Sequence, residues 1–314
     1  MMLASTVREI IFRLSVLVSS IVLITSTAYA VDSEPTNYVL GDSLSDVGAL
    51  GITYTNSEPG SPRIWGKVWV QNIPEYASKS TLCRDLTCSP DPQAFYYTHQ
   101  GNNYAVGGAG ILFPSSDLNL INLAHTDLPS QVSGLIHNAG YSPRANKKDH
   151  IFIWIGGNDI AYAAAFKKDQ LSKYVVHEAS TTYINAVSAL SEACPQCKIY
   201  IISIPYLGNT PLAQWEAPKQ KLNALTRMFN DAISILQSRS VTYIEINNVL
   251  NAQNLGIDLR TWCTTGIDPI HICPSPENPI KDGHSATIYA DPAAHPITTI
   301  HAYIAGVLKH FFVF

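Results

Sequence analysis

Charge is scarce in this chain. Only 14% of its 314 residues are Asp, Glu, Lys or Arg, and 20 basic against 24 acidic residues leave a formal net charge of −4. A nucleic-acid binder needs a clustered excess of Lys and Arg, which is missing here. Low-complexity segments and internal repeats are absent, and the hydrophobic fraction of 46% is too high for a disordered chain. After residue 30 no stretch has the roughly 20 apolar residues that span a bilayer. The glycines at 107, 108 and 110 lack the spacing of a dinucleotide-binding turn.

What is present begins with a leader. Arg8 and Arg13 precede an apolar run, Leu14 to Ile24, and Ala28-Tyr29-Ala30 places small residues where a signal peptidase cuts. The expectation is cleavage after Ala30 and a secreted or periplasmic protein, with an uncleaved membrane anchor as the alternative. Loss of Arg8, Glu9 and Arg13 takes the net charge from −4 to −5. Six cysteines follow the leader, at 83, 88, 194, 197, 263 and 273. An even number in an exported chain favours disulfides, and the simplest set is local: Cys83 with Cys88, Cys194 with Cys197, Cys263 with Cys273. For Cys194-Pro-Gln-Cys197, a redox pair or half of a zinc site stays open, although no second C-x-x-C and no nearby histidine completes a metal site. Residues 31–314 read as a single domain with excursions at 51–100 and 250–290.

Apolar runs alternate with helical patterns. Residues 37–42, 150–155, 198–204 and 241–246 read as strands, and several are apolar on both faces. Residues 169–193, 219–238 and 296–312 read as helices. Strands of that kind between helices imply a parallel sheet covered on both sides. Sites in such sheets lie at the carboxyl ends of strands, here just after residues 41, 155 and 246.

Four short blocks place reactive groups at such positions. Gly41-Asp42-Ser43-Leu44-Ser45-Asp46 follows the first strand, where a serine hydroxyl has helix N–H groups for neighbours and can serve as a nucleophile or as a cap. Residues 103–110 (NYAVGGAG) form a turn that can offer a bare backbone N–H. Gly156-Gly157-Asn158-Asp159 puts an amide at a strand end. Asp291-Pro292-Ala293-Ala294-His295-Pro296 supplies a carboxylate and an imidazole before the last helix.

In this order, GDSLSD, NYAVGGA, GGND and DPAAHP resemble the sequence blocks of the GDSL (SGNH) lipase/esterase family, over residues 38–310. The pattern is similar to the secreted bacterial branch of phospholipases, lysophospholipases A and glycerophospholipid–cholesterol acyltransferases. The resemblance implies a three-layer α/β/α, flavodoxin-like fold with a mostly parallel sheet. It further implies Ser43 as nucleophile, His295 as general base and Asp291 as the acid that orients it. The oxyanion hole would be the N–H groups of Ser43 and Gly108 with the Asn158 amide. The family usually sets the acid three residues before the histidine, whereas Asp291 stands four before His295. No metal or other cofactor is implied. The partner would be a lipid substrate at a membrane or micelle surface, with no nucleic acid.

The expected activity is acyl-ester hydrolysis on (lyso)phospholipids. Alternatives are acyl transfer to a sterol by the same site, carbohydrate O-acetyl ester hydrolysis, and a binding protein on an inactive scaffold. Trp65, Trp69, Phe113, Trp215 and Trp262 are candidates for the walls of an acyl site or for plain core.

Overall fold

A computed structural model describes residues 34–49, 51, 53–55, 66–82, 97–98, 100–114, 125–214, 216–250, 258–262, 287–289 and 295–313. Its centre is a four-stranded parallel sheet in the order β1 (Asn37–Gly41), β2 (His150–Trp154), β3 (Lys198–Ile202), β4 (Val241–Ile244). Asn37 faces His150 and Gly41 faces Trp154, and the register continues with Ile151 beside Ile199 and Ile201 beside Tyr243. The segment from Asn103 runs parallel along the free edge of β1: Tyr104 N–H donates to Val39 O (2.7 Å) and Val106 N–H to Gly41 O (3.2 Å).

Strand alternation assigns the two faces. Ile151 and Ile153 point to one side, toward the layer of α1 (Leu128–Asn138), α2 (Gly157–Ala165), α3 (Asp169–Ala193) and α4 (Lys219–Ser234), which pack on one another. Phe152 and Trp154 point to the other, where α5 (Thr298–Leu308) packs on a 3-10 turn at Trp69–Asn72. Phe152, fully buried, stacks between Tyr200 at 4.8 Å and Phe312 at 4.2 Å. Emptying that position costs about 3–5 kcal/mol. The result is three layers, helix, sheet and helix, as the strand pattern implies. The end of the chain is pinned to its first strand, because the Asn37 side chain exchanges hydrogen bonds with Val313 N and O.

The helix over 169–193 has the bounds expected for it, and the others are shorter than their patterns. Two helices, α1 and α2, are absent from the sequence reading. The first is rich in Ser, Gly and Asn, and is started by Asp127, whose carboxylate accepts the Ser130 N–H (2.9 Å), with Pro129 in its first turn. The second hides behind Gly156-Gly157-Asn158, which reads as a turn. Residues 250–290, read as irregular, contain two short parallel strands, β5 (Asp258–Trp262) and β6 (Thr287–Tyr289). Cys194 and Cys197 form a disulfide with Cα atoms 5.4 Å apart, closing the turn from α3 into β3. Cys83, Cys88, Cys263 and Cys273 lie outside the described residues, as does the leader. Among the described residues no helix is long and apolar enough to cross a membrane.

Candidate active site

The turn after β1 carries Ser43. Both backbone groups of Gly41 are held by one buried side chain: Gly41 N–H donates to Gln131 Oε1, and Gln131 Nε2 donates to Gly41 O, each at 2.8 Å. The turn then closes with Ser45 N–H on Asp42 O (3.1 Å). From the other side, Asn103 Nδ2 donates to Ser45 O (2.9 Å) and Trp69 Nε1 donates to Ser45 Oγ (3.0 Å). Ser43, 6% exposed, is thereby fixed at the carboxyl end of the strand.

Asp46 joins this turn to the glycine loop. Fully buried, its carboxylate accepts N–H groups from Gly48 (2.8 Å), Ala49 (2.6 Å) and Gly107 (2.7 Å). The next residue, Gly108, has φ +71°, a left-handed conformation natural to glycine. The loop is clamped again further on. Asn158 Nδ2 donates to Ala109 O (2.8 Å), and Asp159 accepts Ile111 N–H (2.8 Å) and Leu112 N–H (3.0 Å). Gly156, with φ +127°, lets the chain turn from β2 into α2 against the Phe229 ring, and so sets Asn158 at the strand end.

His295 arrives from the far end of the sequence, just before α5. Its Nε2 lies 2.8 Å from Ser43 Oγ, across 252 positions of chain. Ser43, Gly108, Asn158 and His295 all line one cleft of about 270 Å³. One amide hydrogen of Asn158 is spent on Ala109, and the other is available to this cleft. Asp291 lies outside the described residues, so the acid expected beside His295 is not placed.

Two buried carboxylates shape the local electrostatics. Burial pushes Asp42 up to about 7, opposed by the Leu44 N–H and by His295 and reinforced by Asp159. Burial likewise pushes Asp159 up to about 6 against the Ile111 and Leu112 N–H groups. His301, on α5, accepts the Trp69 N–H at Nδ1 (3.1 Å). Burial pushes it down to about 3, with His295 adding to the effect, so it stays neutral. Among the described residues no group of three His, Cys, Asp or Glu side chains is placed to hold a metal ion.

A family model described as GDSL-like Lipase/Acylhydrolase matches residues 38–290. The chain belongs to this family. Solved structures are similar to the chain at low identity. A lipase, Lip_vut3, from a goat rumen metagenome is 13% identical, with 88% of this chain and 97% of that one covered and a TM-score of 0.47. An extracellular lipase from Streptomyces rimosus is 13% identical, covering 88% and 100%, with a TM-score of 0.41. A phospholipase A1 from Streptomyces albidoflavus is 12% identical, covering 89% and 100%, with a TM-score of 0.38. No curated protein matches the chain. Membership makes the protein a GDSL esterase/lipase hydrolase, whose substrate is an ester.

The GDSL cleft decides between wall and core for two of the five aromatic candidates. Trp69 is core, in edge contact with Phe152, Trp154 and Phe312 on the α5 face. Phe113 packs on Tyr162 and does not line the cleft. Trp65, Trp215 and the side chain of Trp262 lie outside the described residues. The described apolar lining is mostly aliphatic, with Ile204, Leu207 and Leu212 from the loop after β3 and Leu250 and Ala161 besides, and its one described aromatic residue is Trp154. That loop is fixed by Asn230, which bonds Ile204 N and O, and by Asn247, which accepts Tyr206 N–H (2.8 Å). The sequence reading gave no role to Asp46 and Asp159, although both sit inside recognised blocks. It had no signal at all for Gln131, because a lone glutamine in a helix has no pattern.

Proposed function

We propose that the protein is a secreted serine esterase that releases acyl chains from lysophospholipids or phospholipids. The observation that carries the reading is the 2.8 Å contact of His295 Nε2 with Ser43 Oγ at the floor of an aliphatic cleft. In this reading His295 takes the Ser43 proton as Oγ attacks the ester carbonyl. The negative oxygen of the tetrahedral intermediate is met by the N–H groups of Ser43 and Gly108 and by Asn158 Nδ2. His295 then gives its proton to the departing alcohol. Water cleaves the acyl-enzyme by the same route, and Asp291 orients the imidazole.

The described lining carries Asp42, Glu216 and His295 as its ionisable groups, and no Lys or Arg. Among the described residues the lining offers no Lys or Arg to an anionic headgroup, which favours neutral or zwitterionic lipid. Ile204, Leu207, Leu212 and Leu250 suit an acyl chain, since each buried methylene contributes about 0.8 kcal/mol. Export with cleavage after Ala30 belongs to the same proposal and is read out by N-terminal sequencing of the secreted protein.

The test is fatty-acid release from lysophosphatidylcholine, diacyl phosphatidylcholine and a short acetyl ester, with cholesterol added in a parallel set. Release from the lysolipid that falls by roughly 10⁴-fold or more in Ser43→Ala is the expected result. Turnover of the acetyl ester alone moves the protein to the acetylesterases. A cholesterol ester product makes it a transferase.

A further inference from the structure

A catalytic base is held by packing as well as by hydrogen bonds, and part of the packing on His295 comes from residues 53–55, outside all four sequence blocks. Thr55, buried, donates from Oγ1 to the carbonyl of Pro296 (2.8 Å) and lies 3.3 Å from Thr298 Oγ1. Thr53 Oγ1 donates to Gly66 O (2.7 Å), which ties the strap down behind. Between them the Tyr54 ring lies on the His295 ring, centroids 5.1 Å apart and planes inclined by 43°.

The same phenol also rests on bare backbone. A Cβ placed on Gly107 would stand 2.1 to 2.2 Å from Cε2, Cζ and Oη of Tyr54. Gly107 has no positive φ, so this contact and not backbone conformation is what requires glycine there. Its N–H is held by Asp46, and its neighbour is Gly108.

We propose that Tyr54 is the positioning residue of His295, its ring filling the gap between the imidazole and Gly107 so that base and oxyanion loop share one frame. The inference rests on the esterase reading and goes beyond it, by giving the base a support distant from both its own segment and Asp291. Displacing a reacting group by about 1 Å can cost on the order of 10²-fold in rate. The ring face supplies the support, so phenylalanine should replace tyrosine and smaller or aliphatic side chains should not.

The experiment measures kcat and KM for p-nitrophenyl butyrate with the full chain and with Tyr54→Phe, Tyr54→Leu, Tyr54→Ala, Gly107→Ala and the Tyr54→Ala/Gly107→Ala double variant. Tyr54→Ala is expected to lose about 10- to 100-fold in kcat with KM within about twofold, Tyr54→Leu somewhat less, and Tyr54→Phe no more than about threefold. Gly107→Ala is expected to lose about 100-fold alone but under about threefold when added to Tyr54→Ala, because the clash is gone. If Tyr54→Ala does not fold, Tyr54→Leu carries the comparison, since it keeps most of the volume. Retention of kcat within about twofold by Tyr54→Leu, or losses at 54 and 107 that simply multiply, overturns the proposal. A wild-type chain that neither turns over the ester nor labels with a fluorophosphonate removes the esterase reading and this inference together. An active wild type that is indifferent to residue 54 removes the inference alone.

Discussion

The two halves of the site are held by different physics. The serine half is fastened by hydrogen bonds: Gln131 on Gly41, Asn103 on Ser45, Asp46 on Gly107, Asp159 on Ile111 and Leu112. Each of these bonds joins a backbone group near Ser43 or Gly108 to a buried or half-buried polar side chain. The histidine half adds a packed contact, a phenol ring against the imidazole itself, to hydrogen bonds that reach only its neighbours: a threonine hydroxyl on Pro296 O and the Trp69 N–H on buried, neutral His301. A directional bond admits few substitutions, while a packed contact is met by many residues of suitable size. The serine half is therefore concentrated in short blocks, and the support of the histidine half is scattered.

That contrast can be broken at several points. Asp46→Ala should have the largest effect, since it removes the carboxylate that accepts three N–H groups, two of them in buried bonds. A stability loss of about 3–5 kcal/mol is expected in urea denaturation, with Asp46→Asn recovering part of it. Asn158→Ala should lower kcat by about 10²–10³-fold, near 3 kcal/mol in the barrier, at almost constant KM, and steady-state kinetics on the ester read this directly. Equal losses in kcat from Asn158→Ala and an exposed helix variant such as Tyr174→Ala would sink the oxyanion assignment.

Asp42 sharpens the comparison through pH. Its folded pKa, about 7, stands above the ordinary carboxylate value because burial disfavours the charge. Between about pH 4 and 7 the folded chain therefore binds this proton more tightly than the unfolded chain does. The stability it contributes is fully present below about pH 4 and is lost as pH rises through 7. Asp42→Asn cannot ionise, so its stability relative to wild type should improve from pH 5 to pH 8.5 by on the order of 2–3 kcal/mol. A difference that is flat with pH, or that moves against the variant as pH rises, means Asp42 titrates normally. The smallest effect belongs to the packed half. Thr55→Val removes the hydroxyl that bonds Pro296 O and Thr298 Oγ1, for about 1 kcal/mol of stability and a severalfold drop in kcat. A loss as large as that of Asp46→Ala would show that both halves are fastened alike.

Legibility in the sequence follows the same division. β2 is plain because His150 to Ile155 is apolar at almost every position, as a strand buried on both faces must be. Ser43, Gly108, Asn158 and His295 stand out through their blocks, and the fold brings all four to one cleft. The cleft walls did not stand out. Aromatic residues were the natural candidates, but Trp69 is claimed by the sheet face and the walls fell to Ile204, Leu207 and Leu212. Aliphatic side chains in a loop after a strand look like any core residues until the loop is placed. Tyr54 had still less signal, because its significance lies in what it touches 53 and 241 positions away.

By itself the sequence determined the order of the four strands of the central sheet, three of the described helices and the reactive groups at the strand ends. Those follow from local rules: apolar runs, breaks at glycine and proline, and polar residues required by turns. The tertiary structure decided which apolar residues became core and which became cleft. It also put a serine at 43 within 2.8 Å of a histidine at 295 and seated Tyr54 on both that histidine and Gly107. These are meetings of surfaces far apart in the chain, and no local pattern encodes them, because packing selects for fit between partners and not for the identity of either one.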